Sequence, residues 1–223
     1  MDKPILFSAP MVRALLAGTK TQTRRVAKIT AIMGNKVAVY PPEELIELSE
    51  GEFREGVCHY ASTNALSGPY NLSYAVGDRL WAKEAWRTES RAYDDLKPSD
   101  MDADYSILYD ADADWRLNKS TGRTRSSIHM PRWASRLTLT VTDMRVQRLQ
   151  DINEEDALAE GVSDFSALSR AAGCDMAKAQ TELRWAQRLY AALWDQINGP
   201  GAWNTNPWVV ALTFDVRKGN IDA

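Results

Sequence analysis

The clearest alternation in the chain runs from Arg136 to Thr142. Leu137, Leu139 and Val141 point one way, and Thr138, Thr140 and Thr142 point the other. That is the two-residue period of a half-buried strand built from strong β-formers. Val146 continues the pattern after a turn near Asp143. Residues 208–216 repeat it, with Trp208, Val210, Leu212, Phe214 and Val216 against Val209, Ala211, Thr213 and Asp215. Residues 80–86 read as a third core strand after a turn at 76–79. Leu80, Ala82, Glu84 and Trp86 share one face, and Trp81, Lys83 and Ala85 the other. Ile5–Phe7 is a short first strand. Lys36–Tyr40 is another, inside a stretch from 28 to 74 that otherwise reads as decoration.

Helical spacing appears three times. Met11, Val12, Leu15 and Leu16 form one apolar stripe, entered at Pro10 and closed at Gly18, the positions that favour proline and glycine. A second helix begins in the acidic run 151–156, capped by Asp151 or Asn153, and ends at Gly161. A third runs from about Met176 to Ile197. Its stripe is Leu183, Ala186, Leu189, Tyr190, Leu193 and Ile197, and the run 198–201 (Asn-Gly-Pro-Gly) breaks it. Strands dominate and no regular βαβ alternation occurs, which argues against a doubly wound parallel sheet. The pattern predicts an α+β fold: a small mixed or antiparallel β-barrel with peripheral helices. Residues 1–223 read as a single domain with insertions near 88–127 and 163–178. The first insertion carries an acidic run within 94–114, then Lys119, Arg123 and Arg125. It lacks calcium-loop spacing and reads as an exposed, partly mobile, solvated segment.

Hydrophobic residues make up 44% of the chain, enough for a sizeable core. The net charge of -3 argues against a protein that coats nucleic acid non-specifically. Any nucleic-acid contact is then local, or the ligand is small. The two cysteines, Cys58 and Cys174, form no C-x-x-C pair and read as free thiols in a reducing cytoplasm. No signal peptide or membrane span is legible. His59 and His129 fit no metal-ligand pattern, and no phosphate loop or nucleophile elbow is present. Neither a metal nor a cofactor is expected.

Chemistry concentrates in residues 18–25, Gly-Thr-Lys-Thr-Gln-Thr-Arg-Arg. In an extended segment Lys20, Gln22 and Arg24 share one face, and Thr21, Thr23 and Arg25 the other. A bend or bulge would let Lys20 and Thr23 converge. A solvated basic strand is the plain alternative. A second group is Arg132 and Trp133, just before the strand at 136. Trp133 suits stacking on a base and Arg132 a phosphate, or the pair seals one end of the sheet. Glu84 and Trp86 pose the same choice. A glutamate on a core face needs either an arginine such as Arg25 or a ligand amino group.

Gly18, Lys20 and Arg25 resemble the G-x-K-x-x-E-x-R motif of the ASCH domain, a PUA-like barrel family. Thr23 stands where that motif has glutamate. This form, G-x-K-x-x-T-x-R, resembles small bacterial ASCH proteins that act as N4-acetylcytidine amidohydrolases, about half this length. Residues 6–11, 77–81, 128–136 and 206–208 are similar to phage and prophage ASCH-like proteins. The resemblance implies a PUA-like barrel and a catalytic set of Lys20, Thr23 and a glutamate on a later helix. The helix from Asn153 to Gly161 puts that role on Glu160, ahead of Glu154 and Glu155. Substrate contacts then fall to Arg24, Arg25, Glu84, Trp86, Arg132 and Trp133. The implied activity is amide hydrolysis on a modified pyrimidine nucleoside. The alternatives are a module that binds RNA, single-stranded nucleic acid or a modified base without chemistry, a ribonuclease, and a phage assembly protein.

Overall fold

The computed structural model describes residues 1–27, 29–33, 36–40, 57–60, 68–71, 73–112, 120–162 and 185–223. The strongly alternating segments become the centre of one five-stranded sheet. Its strands are β1 (Asp2–Leu6), β2 (Gln22–Val26), β7 (Arg79–Lys83), β10 (Leu137–Arg148) and β11 (Trp208–Lys218), in the order β1-β7-β10-β11-β2. β1 runs parallel to β7, and the other pairs are antiparallel. β3 (Ile29–Met33), β4 (Lys36–Tyr40), β5 (Val57–Tyr60) and β6 (Gly68–Asn71) form a second antiparallel sheet in the order β4-β3-β6-β5. β8 (Trp86–Thr88) and β9 (Ile107–Tyr109) pair separately. Among the described residues, three α-helices complete the α+β fold: α1 (Ala9–Ala17), α2 (Glu154–Ala159) and α3 (Trp185–Asn198).

The core forms where apolar faces meet. Leu80, Leu139, Val141, Leu212 and Phe214 pack with Val12 and Leu15 of α1 and Leu189 and Leu193 of α3, all buried in one cluster. Burying each such side chain contributes about 1.5–3 kcal/mol. The turn expected near Asp143 is a β-bulge. The register against β11 shifts between Val141 and Asp143, and β10 then continues to Arg148. An extra residue in one strand bends it without ending the ladder.

The sheet does not close into the expected barrel. β1 and β2 are its two edges and share no ladder. They nevertheless approach at one end. Arg25 of β2 donates to the Leu6 carbonyl of β1 at 2.5 Å, with its guanidinium 5.3 Å from the Phe7 ring. A side chain bridges what a strand pair would have sealed.

Three other expectations change. The strand expected over 80–86 is two, because the chain leaves the sheet at Glu84. There the Glu84 N–H meets Met130 Sδ at 3.2 Å, and β8 pairs with β9 instead. The first insertion is not simply a solvated loop. Trp86, Met101, Met130 and Ala134 form a second buried core, with Leu96, Tyr105, Ile107, Tyr109 and Trp133 packed against it. Its basic end is also engaged, since Arg125 donates to the Leu96 and Tyr93 carbonyls at 2.8 and 2.6 Å. Asp114 and Lys119 lie outside the described residues, as do the second insertion, Cys174, Leu183 and the expected start of the third helix. Ile197, in the last turn of α3, is 49% exposed rather than buried.

Leu212 sits at the centre of β11 with no exposed surface. Leu212→Ala should lower unfolding stability by about 2–5 kcal/mol in a denaturant titration. Ile197→Ser should change it by no more than about 0.5 kcal/mol.

Candidate functional site

Two glycines aim the site. α1 ends at Gly18 with φ 76°, and the N–H groups of Thr19 and Lys20 both return to the Ala14 carbonyl at 3.0 and 3.2 Å. This turn points Lys20 back into the protein. α2 starts at Asn153, whose side chain accepts from the Asp156 N–H at 2.7 Å. It stops at Glu160, followed by Gly161 with φ 83°. A Cβ on Gly161 would lie 3.0 Å from both the Ala14 and Lys20 Cβ atoms. Glycine is therefore required twice there, for backbone shape and for close approach.

Lys20 and Glu160 meet as an isolated antiparallel bridge, and their side chains pair below it. Lys20 Nζ donates to Glu160 Oε2 at 2.7 Å and to the Glu160 carbonyl at 3.0 Å. Both residues are buried, Lys20 completely. Arg24, also buried, donates from Nη1 to Glu160 Oε1 at 3.2 Å and from Nη2 to Asp156 Oδ2 at 2.7 Å. Gln22 donates to Asp156 Oδ1 at 2.9 Å and accepts from Arg24 at 3.3 Å. Arg145 reaches both Asp156 oxygens from the half-exposed side, at 3.2 and 3.1 Å. The Tyr190 hydroxyl donates to Glu160 Oε1 at 3.3 Å. A buried ion pair is stabilised when its remaining hydrogen-bond sites are filled, and here carboxylates and cations alternate to fill most of them, leaving Arg24 Nε without a partner among the described residues.

Burial pushes the Lys20 amine below its usual range. Glu160 pulls it back up, and Arg25 and Arg24 add to the depression. Burial also acts to raise Asp156, but Gln22, Arg145 and Arg24 outweigh it and hold the carboxyl low. Tyr190 is pushed well above its usual value by burial and by the Glu160 charge.

A partly open pocket lies beside this cluster, its empty space of about 400 Å³ including open solvent. Glu160, Arg24, Thr23, Arg25 and Val26 form one side, and Tyr190, Leu193, Trp194 and Ile197 of α3 the other. The expected trio is thus brought into one neighbourhood, but not into one hydrogen-bond chain. β2 pairs with β11 without a bulge, so Thr23 keeps to the face it shares with Leu212, opposite that of Gln22 and Arg24. No hydrogen bond joins Thr23 to Lys20 or Glu160.

Four expected contacts lie elsewhere. Glu84 pairs with Arg136, not Arg25, at 2.8 and 3.0 Å. Trp86 fills the second core under Arg125, whose guanidinium is 5.2 Å from the ring. Arg132 is held by Asp2 and Asp222 at 2.6 and 2.5 Å. Trp133 donates to the Met101 carbonyl at 3.2 Å. None of the four lines the pocket. Glu154 instead accepts from the Ala186 N–H at the start of α3, 2.8 Å away, and Glu155 is exposed. Asp156 was legible as a partner of Glu160, since four residues is one helical turn. Tyr190 and Trp194 were hidden in an apolar stripe. Among the described residues no group of three or more His, Cys, Asp or Glu side chains is placed to hold a metal ion, and no helix is long and apolar enough to cross a membrane.

Compared with protein-family models, curated proteins and solved structures, the chain gives no match. Function must be argued from the site.

Glu160→Gln leaves Lys20 buried without its carboxylate and should cost about 3–5 kcal/mol. Lys20→Met should cost less, because Glu160 keeps Arg24 and Tyr190. Equal losses in denaturant titrations would contradict this account. The pH dependence has two arms. With Lys20 depressed below 10.5 in the folded state, the unfolded chain binds more protons, so Glu160→Gln should regain stability as pH rises towards 10.5. Asp156 is depressed below 3.8, so its contribution is complete above that pH and lost below it. Asp156→Asn should remove that acid-side loss.

Proposed function

We propose that the protein hydrolyses the exocyclic amide of an N4-acylated pyrimidine nucleoside, with N4-acetylcytidine as the implied substrate. The observation that carries this reading is the meeting of Lys20 and Glu160, 140 positions apart, in one buried pair beside a pocket that Thr23 also lines. In this reading Thr23 Oγ attacks the acetyl carbonyl carbon. Its proton passes to Lys20, whose amine burial brings closer to the neutral form. Lys20 must first release one of its bonds to Glu160. Lys20 passes that proton across its 2.7 Å contact to Glu160, which delivers it to N4 as the C–N bond breaks and cytidine leaves. Water hydrolyses the threonine ester to acetate and restores the hydroxyl. Arg24 and Arg25 offset charge on the tetrahedral oxygen. The accompanying fold reading is PUA-like. It is supported by the curled sheet, whose two edges Arg25 draws together. The two cysteines and the small ligand suit a cytoplasmic setting.

A second reading is binding without chemistry, with a modified base recognised free or in RNA. It is favoured by one observation, the lack of a hydrogen bond between Thr23 and Lys20.

Purified protein incubated with N4-acetylcytidine should release cytidine, followed by chromatography. Thr23→Ala, Lys20→Ala and Glu160→Ala should each reduce the rate about 100-fold or more. Saturable binding without turnover would move the conclusion to the second reading. Full activity in all three variants would remove the proposed site.

A further inference from the structure

Among the described residues, nothing pairs with the stretch of main-chain edge that β2 turns towards the pocket. The Ala27 N–H donates to the Trp208 carbonyl at 2.9 Å, and the Phe214 N–H donates to the Thr21 carbonyl at 3.0 Å. The register between these two bonds is unbroken. In an antiparallel ladder this phase is decisive. Thr23 and Arg25 exchange hydrogen bonds with β11, while Gln22, Arg24 and Val26 point their N–H and C=O groups the other way. Near Gln22 that outer edge is covered, by the Thr21 N–H to the Ala159 carbonyl at 2.8 Å and by the Lys20–Glu160 bridge. From Arg24 to Val26, no strand or loop among the described residues pairs with it.

The pocket runs along this open stretch. Thr23, Arg24, Arg25 and Val26 line it in succession. A strand that presented one face would contribute alternate residues. Four consecutive ones mean that the strand meets the pocket edge-on. The opposite wall is α3, with Leu193 and Trp194 as apolar cover.

We propose that the open edge of β2 is the recognition element of the pocket, its Arg24 and Val26 main-chain groups hydrogen-bonding the donor–acceptor edge of a pyrimidine base. This rests on the nucleoside reading above and names how the base is held. An added peptide strand fits poorly. The open stretch is three residues, about 7 Å from the first Cα to the last, which is short for strand addition. A cytosine offers an N4–H donor beside N3 and O2 acceptors, which matches alternating N–H and C=O groups on that scale. Its flat faces meet the apolar cover from α3. Main-chain groups left unpaired under a bound ligand would cost free energy, so a ring lacking that edge is rejected.

The test uses the whole chain, labelled with ¹⁵N and titrated with cytidine and with N4-acetylcytidine. The Val26 amide resonance should shift saturably, and the Arg25 amide, committed to β11, should move far less. Val26→Pro deletes one edge N–H at a position where an edge strand tolerates proline. It should stay folded by thermal unfolding and bind cytidine about tenfold more weakly or worse, and more weakly than Val26→Ala, which keeps the edge N–H. Should Val26→Pro fail to fold, the amide titration decides alone. Cleavage of N4-acetylcytidine with an unmoved Val26 amide overturns the edge proposal and leaves the hydrolase reading intact. A Val26 shift without cleavage does the reverse. If neither ligand moves that amide, or Val26→Pro binds as tightly as the parent, the edge proposal is rejected.

Discussion

Lys20 and Arg24 are buried against Glu160 and Asp156, and taking these four charges out of water costs several kcal/mol for each ion unless every one is answered. The two elements that answer each other have different periods. Lys20, Gln22 and Arg24 alternate along β2 and span about 13 Å. Asp156 and Glu160 are one turn apart on α2, roughly 6 Å. The spacings do not match one for one. Arg24 closes the difference, because its guanidinium is wide enough to bond both carboxylates, at 2.7 and 3.2 Å. Gln22 fills the gap between them with a neutral side chain that both donates and accepts. A lysine at position 24 would bring a point charge where a planar fork is needed.

This cluster fixes where α2 docks, and the docking fixes the opening. A sheet closed into a barrel would pair β1 with β2 and remove both edges. Here the Lys20–Glu160 bridge covers the outer side of β2 only at its start. Further along, Arg25 spans to β1 with a side chain rather than a ladder. α3 shields the remaining edge from a distance, close enough to make a wall. The pocket is thus what remains when one strand edge is half covered by a short helix and half faced by a longer one.

Much of this was legible in sequence. Alternation placed Lys20, Gln22 and Arg24 on one face, and Gly18, Asn153 and Gly161 marked the turns that aim them. Glu160 was reached through a resemblance, while Asp156, one helical turn before it, was passed over as part of an acidic helix start. The failures share a cause. Alternation says which residues share a face, but not which sheet that face belongs to. Glu84 and Trp86 continue the pattern of β7, yet the chain changes sheets between them, so Arg136 becomes the partner of Glu84 and Trp86 enters a second core. The acidic residues of the first insertion outweighed its scattered Met, Tyr and Ile side chains on any local reading. Those side chains cohere only when brought together in three dimensions. Arg132 read as a ligand contact because Asp222, its partner, lies 90 positions away.

The opposition of Thr23 and Lys20 across β2 bears on how a ligand must approach. A molecule resting on one face of the strand would reach Lys20, Gln22 and Arg24, or Thr23 and Arg25, but never both sets. A molecule at the strand edge straddles the two faces. From there Thr23 and Arg25 lie to one side, Arg24 and Glu160 to the other, and main-chain groups lie directly ahead. That Thr23, Arg24, Arg25, Val26 and Glu160 all line one pocket follows from this edge-on geometry. In the hydrolytic reading, edge-on binding lets a nucleophile and a proton donor from opposite faces act on one amide without any bulge in β2. The regular register then weighs only against direct proton transfer from Thr23 to Lys20. It becomes the reason that a ligand, rather than the protein, must join the two halves of the site.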